Sequence, residues 1–179
     1  MLKSKEKKIL LDIAHKAIVA VVREEDTTPE PREEKALNTR SGCFVTIKLN
    51  EELRGCIGNF QSDLPLFKEV AEMASASACK DPRFYPLQED EINNISIDIS
   101  VLSSLEKIDT IDSIEIGTHG IYLEKGYYRG VLLPQVATEH NWDRETFLKQ
   151  TCIKAGLPTD SWEAEETDIY IFSAEVFSD

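Results

Sequence analysis

Leu53-Arg54-Gly55-Cys56-Ile57-Gly58 places a thiol between two residues without side chains, on a segment that also carries a guanidinium. Glycines let a ligand or another backbone come close. A thiol is a nucleophile once it is a thiolate, so chemistry at Cys56 needs a base. The chain holds 3 histidines, His15, His119 and His140. His119 lies in the tight stretch Gly117-Thr118-His119-Gly120, where loops present functional side chains, and is the best partner. His15 falls on the first helix, where packing or solvent explains it, and His140 follows Glu139 at a helix end. Arg54, Arg83 and Arg129 offer planar forks for a carboxylate or phosphate, or for the many acids of the chain. Arg54 in one cleft with Cys56 would bind an anion and favour the thiolate. Successive strand side chains point to opposite faces, so adjacency leaves this open. Architecture accounts for the same residues: Gly55 and Gly58 as bulge and turn, Leu53 and Ile57 facing the core, and Cys56 as packing.

The elements that must position them follow from periodicity. Ile9, Ile13, Ala17, Ala20 and Val21 recur at helical spacing and predict an amphipathic helix ending near Glu24. Residues 27–40, with Pro29 and Pro31, read as a surface loop. Cys43, Val45, Ile47 and Leu49 alternate with polar residues as in a strand, and Asn50-Glu51-Glu52 turns that strand into a hairpin whose return carries the hexapeptide. Ser62 or Asp63 is the expected cap of a second helix bearing Phe67, Val70, Ala71, Ala74 and Ala78, closed by Asp81-Pro82-Arg83. Ile95, Ile97, Ile99 and Val101 mark the clearest strand. Residues 114–116, 120–124 and 128–133 read as three short strands, Asp143 as the cap of a helix ending at Gly156, and residues 168–176 as a last strand. Hairpins and helices do not alternate as β-α-β units. The fold class is therefore α+β, a mainly antiparallel sheet with flanking helices.

Composition excludes several functions. The chain of 179 residues suits one domain that divides at most into two subdomains. A net charge of -13 disfavours nonspecific binding to nucleic acid or anionic lipid. The charge is uneven: residues 1–90 hold 14 Lys and Arg against 16 Asp and Glu, and residues 91–179 hold 6 against 17. No apolar run approaches the ~20 residues of a membrane span, and the amino terminus lacks a secretory signal, so a cytoplasmic location is expected. Cys43, Cys56, Cys79 and Cys152 show no disulfide framework and no metal-finger spacing. Neither a metal nor a cofactor is expected.

With the hexapeptide, the stretches Gly42-Cys43-Phe44-Val45-Thr46, Asp81-Pro82-Arg83-Phe84, Gly117-Thr118-His119-Gly120-Ile121, Leu133-Pro134-Gln135-Val136-Ala137 and Lys154-Ala155-Gly156-Leu157-Pro158 resemble, in order, the family named for the AMME chromosomal region gene. The resemblance implies an α+β fold with a larger and a smaller subdomain, and a family without an established reaction. Its microbial members are similar to domains associated with Memo-like and radical SAM proteins, which implies a shared pathway without transferring iron or S-adenosylmethionine to this chain. The sites expected are Cys56 and His119 for catalysis, with Arg54, Gly55, Gly58, Arg83 and Glu139 toward the substrate. Two functions fit: a cysteine-centred enzyme or substrate-handling domain for a small anionic substrate, and a noncatalytic adaptor that docks a basic partner on its acidic half.

Overall fold

The computed structural model of the protein describes residues 1–26 and 28–179. Thr27, the first residue of the expected loop, lies outside the described residues. The chain divides into two compact units, Met1–Leu102 with Glu175–Asp179, and Ser103–Ala174.

In the first unit, α1 (Ser4–Val22) buries Leu10, Ile13, Ala14, Ala17 and Ile18, the stripe that a 3.6-residue repeat brings to one face. Glu6 caps its start by accepting the Lys3 N–H at 2.6 Å. The expected loop is partly ordered: residues Lys35–Asn38 form a 3-10 turn that buries Leu37 completely. β1 (Cys43–Leu49) and β2 (Glu52–Asn59) form the hairpin, joined by Asn50 and Glu51 at φ 53° and 66°. Positive φ at both turn residues matches the right-handed twist of the strands.

α2 (Leu66–Cys79) starts later than the capping signal suggested. Neither Ser62 nor Asp63 caps it. Pro65 stands before the first turn, and its carbonyl accepts the N–H groups of Lys68 and Glu69. β3 (Ile95–Leu102) pairs with β1 on the side away from β2, so Ile97 and Ile99 line up with Ile47 and Val45. These four side chains are wholly buried under the helices, each worth about 1.5–3 kcal/mol. The opposite face carries Thr46, Lys48, Cys56 and Asp98.

The second unit is built on β4 (Glu106–Lys107), β5 (His119–Lys125), β6 (Tyr128–Leu132), α3 (Pro134–Glu139), α4 (Arg144–Lys154) and β7 (Asp168–Ser178). β5 pairs antiparallel with β6 and β7, and β4 adds to β7. Ile121, Leu123, Ile169 and Ile171 pack on Phe147, Leu148 and Cys152 of α4. Asp143 caps α4 by accepting the Thr146 N–H at 2.8 Å, and Gly156 beyond its end has φ 76°. Residues 114–116 are not a strand: the N–H groups of Thr118 and His119 both fold back to the Glu115 carbonyl. The apolar character of Ile114 reports burial in this unit's core. The last residues of β7 belong to the first unit, where Asp179 donates its N–H to the Ile97 carbonyl.

Candidate functional site

Each residue of the hexapeptide has a separate task. Leu53 is 43% exposed and does not face the core. Arg54 turns its fork onto Glu91, with Nε and Nη2 each 2.8 Å from a carboxylate oxygen, while Nη1 donates to the Tyr85 carbonyl at 2.9 Å. This pairing holds the Glu91 carboxyl below its usual range, chiefly through the Arg54 hydrogen bonds and against burial. Arg54 therefore ties β2 to the segment after α2. Gly55 lies under α2: a Cβ there would sit 2.2 Å from the Ser77 carbonyl oxygen. Ile57 packs on the core, and its N–H donates to Ser77 Oγ at 2.8 Å, which itself donates to the Val45 carbonyl. Gly58 leaves room for the Phe44 ring, which would be 2.4 Å from an added Cβ.

Cys56 is directed to the face away from the helices. It stands opposite Thr46, whose hydroxyl donates to Sγ at 3.1 Å. Its main chain is held by two side chains that follow α2. Asp81 Oδ2 accepts the Cys56 N–H at 2.8 Å, and Arg83 Nη2 lies 3.4 Å from the Cys56 carbonyl. Asp81 is 4% exposed and takes Arg83 on both oxygens, at 2.9 Å from Nε and 2.7 Å from Nη2. The Arg83 hydrogen bonds are the main reason its carboxyl is held well below the usual range; burial opposes them, and the N–H groups of Cys56 and Arg83 help. Together they satisfy the outward main-chain groups of an edge strand. The Arg83 side chain is 54% exposed, and its Nη1 makes no hydrogen bond among the described residues.

Beside this pair, Thr46 also faces Asp98, which holds Lys48 at 2.6 Å and Ser178 Oγ at 2.7 Å. Burial pushes the Asp98 carboxyl up, but these hydrogen bonds and the Lys48 charge prevail and hold it down. Below the sheet, Glu69 is 1% exposed and bonded by Asn59 and Ser62. Cys43 is wholly buried, which with the nearby Glu69 pushes its thiol far up.

The structure thus brings Cys56, Gly55, Gly58, Arg54 and Arg83 together in the first unit, with Arg54 and Arg83 on separate acids. His119 and Glu139 belong to the second unit. The Glu115 N–H and the Ser113 carbonyl both lie 3.1 Å from His119 Nδ1, and the ring lines a cavity of about 90 Å³ with Ser103, Ser104, Glu106 and Ser173. Glu139 is exposed at the end of α3, and His140 beside it stacks on Trp142 with centroids 4.7 Å apart. Among the described residues no group of three or more His, Cys, Asp or Glu side chains is placed to hold a metal ion. Reading the sequence passed over Asp81, Thr46 and Ser77. Asp81-Pro82-Arg83 did carry a signal for the first, since an Asp two residues before an Arg can fold onto that residue's own N–H, as it does at 3.1 Å.

The AMMECR1 family model matches residues 11–177. A protein of Nanoarchaeum equitans is 38% identical over 178 residues, 95% of this chain and 98% of that protein. One of Methanocaldococcus jannaschii is 41% identical over 153 residues, 81% of this chain and 76% of its own length. The crystal structure of an uncharacterised protein from Pyrococcus horikoshii superposes with a TM-score of 0.87 at 37% identity, covering 99% of this chain and 93% of that one. The α+β architecture, the hexapeptide and these matches agree: the chain belongs to the AMMECR1 family.

Proposed function

We propose that the open face around Cys56 is a substrate-handling surface, with the Cys56 thiol as the reacting group and Arg83 as the contact for a small anionic substrate. The observation that carries the reading is the clamp on Cys56: Asp81 and Arg83 fix its main chain while Arg83 keeps an unengaged Nη1 half in solvent. Arg54 is a positioning residue, since its fork is taken up by Glu91. The chemistry suited to this pair is group transfer. In an acyl transfer the Cys56 sulfur forms a bond to the acyl carbon, and the bond to the donor's leaving group breaks with its electron pair. The thiol proton ends on that group, and a nucleophilic acceptor then takes the acyl group and restores the thiol. A cytoplasmic location and service beside Memo-like or radical SAM proteins belong to the same proposal and rest on the family resemblance. No helix among the described residues is long and apolar enough to cross a membrane.

Competitive alkylation tests the reading. Iodoacetate and iodoacetamide differ by one negative charge, so the ratio of their rates at Cys56 reports the field of Arg83. Cys56 is expected to label ahead of the fully buried Cys43 and Cys152. Arg83→Gln is expected to lower the iodoacetate-to-iodoacetamide ratio by about three- to tenfold, and inorganic phosphate to slow wild type more than the variant. A Cys56 no more reactive than Cys43, or a ratio unmoved by Arg83→Gln, would return the motif to architecture. His119→Ala in the same assay decides whether an imidazole takes part: a slower rate adds it, and an unchanged rate confines the chemistry to the first unit.

A further inference from the structure

The two edges of the first unit's sheet are treated differently. The β2 edge is covered at Cys56 by Asp81 and Arg83. At the other edge, β5 follows β7 only as far as the His119–Ser173 pair, so the last residues of β7 run on without a strand beside them. Asp179 donates its N–H to Ile97, which places residues 175, 177 and 179 in register to bond β3. Val176 and Ser178 then direct their N–H and C=O groups outward. Val176 is 55% exposed, and no side-chain hydrogen bond among the described residues reaches either residue's main chain. The segment has none of the usual edge defences, neither proline nor lysine.

A groove of about 550 Å³ runs along this edge. One wall is a stripe of α1, Lys7, Lys8, Leu11 and His15, and the other is Phe177 and Asp179. Leu11 and Phe177 are half-buried on the core and form an apolar floor. Most rim charges are already matched: Lys7 with Glu175 at 2.8 Å, Asp12 with Lys16 at 2.8 Å, and Asp179 Oδ1 with the Ile97 N–H at 2.9 Å. Lys8 has no ion pair among the described residues, so the charge left over for a ligand is positive.

A strand edge beside a helix, with unpaired main-chain groups and an apolar floor, accepts an extended chain rather than a compact molecule. We infer that this groove binds an extended peptide of a partner protein, which adds as a strand against Val176 to Ser178. The peptide sets an apolar side chain on Leu11 and Phe177, and an acidic side chain two positions away toward Lys8. The two-residue spacing follows because alternate side chains of a strand share a face. Main-chain bonds supply the attachment, and the apolar and acidic positions supply the choice of partner.

The test uses the full chain and a displayed library of random peptides of about ten residues, long enough to span the edge. Selected peptides are expected to carry an apolar residue and an Asp or Glu two positions apart, and to slow amide exchange at Val176 and Ser178. Val176→Pro removes one outward donor at an edge position that tolerates proline, and is expected to weaken binding about tenfold or more. Lys8→Glu, a surface change that leaves the strand intact, is expected to weaken it severalfold while circular dichroism stays unchanged. Three outcomes overturn the inference: no peptide is selected, the peptides bind both variants as well as wild type, or protection falls away from β7. Self-association of wild type that Val176→Pro abolishes would also overturn it, by assigning the edge to a second copy of this chain.

Discussion

Asp81 shows how one side chain can hold a site without touching a substrate. Its two oxygens accept the N–H of Cys56 and the fork of Arg83, and it is almost wholly covered. Asp81→Asn keeps the shape but loses the charge that holds the guanidinium, and should cost about 1–3 kcal/mol by denaturant unfolding at neutral pH. The estimate stays modest because Arg83 is half in solvent and rehydrates. The pH dependence has a definite sign. A carboxyl held below its unfolded value contributes stability that is fully present above about pH 4 and lost as pH falls through the folded value. The gap between wild type and Asp81→Asn should therefore be widest at neutral pH and narrow steadily on acidification below about pH 4. A gap that is constant across that range would show that the hydrogen-bond geometry, and not the charge, is what Asp81 supplies.

At the scale of elements, the hairpin and α2 decide where Cys56 stands. Gly55 is the contact point, because the Ser77 carbonyl occupies the space a Cβ would need. Gly55→Ala should destabilise by about 3 kcal/mol, toward the upper end for overpacking, since main chain cannot yield as a flexible side chain does. Gly126→Ala is the control: nothing lies within 4 Å of its Cβ position, and its φ of 59° alone should cost about 1 kcal/mol. The turn of the hairpin offers the converse. Glu51 sits at φ 66°, where glycine is at ease, so Glu51→Gly should stabilise by about 1 kcal/mol if the strained side chain outweighs the added freedom of the unfolded chain. Much of this level was legible beforehand. The alternation in Val45, Ile47, Ile97 and Ile99, and the capping Asp143, act locally and leave a local signature. What stayed hidden was long-range. That Ser62 would bond Glu69 instead of capping α2, or that Asp81 would reach Cys56 across 25 positions, depends on how β2 and α2 meet. The short strand β4 and the turn at 114–118 were missed for a related reason: their few main-chain bonds answer to β7 and to Gly117, not to any pattern of apolar residues.

Over the whole molecule the balance of charge has its own consequence. The first unit holds 14 Lys and Arg against 20 Asp and Glu, and the second 6 against 13, so each is acidic by itself, at -6 and -7. Five of the second unit's six cations stand in ion pairs, those of Lys107, Lys125, Arg129, Arg144 and Lys149. Every one of these pairs is at least a third exposed on one side, a class worth about 0–1 kcal/mol apiece and weakened by salt. Salt therefore acts in two opposing ways, loosening those pairs and screening the repulsion among the excess carboxylates. The repulsion is the longer-ranged effect and the one that a Debye length falling from about 30 Å to about 8 Å suppresses most. Thermal unfolding should accordingly shift upward by a few degrees between about 0.01 M and about 0.15 M sodium chloride. Glu165→Lys reaches the same repulsion without salt, because Glu165 is exposed in a run with Glu163 and Glu166. That variant should be the more stable protein at low ionic strength and should converge on wild type as salt is added. A melting temperature that falls with salt, or a Glu165→Lys advantage that persists at high salt, would mean that the surface ion pairs, and not the net charge, govern the stability of the molecule.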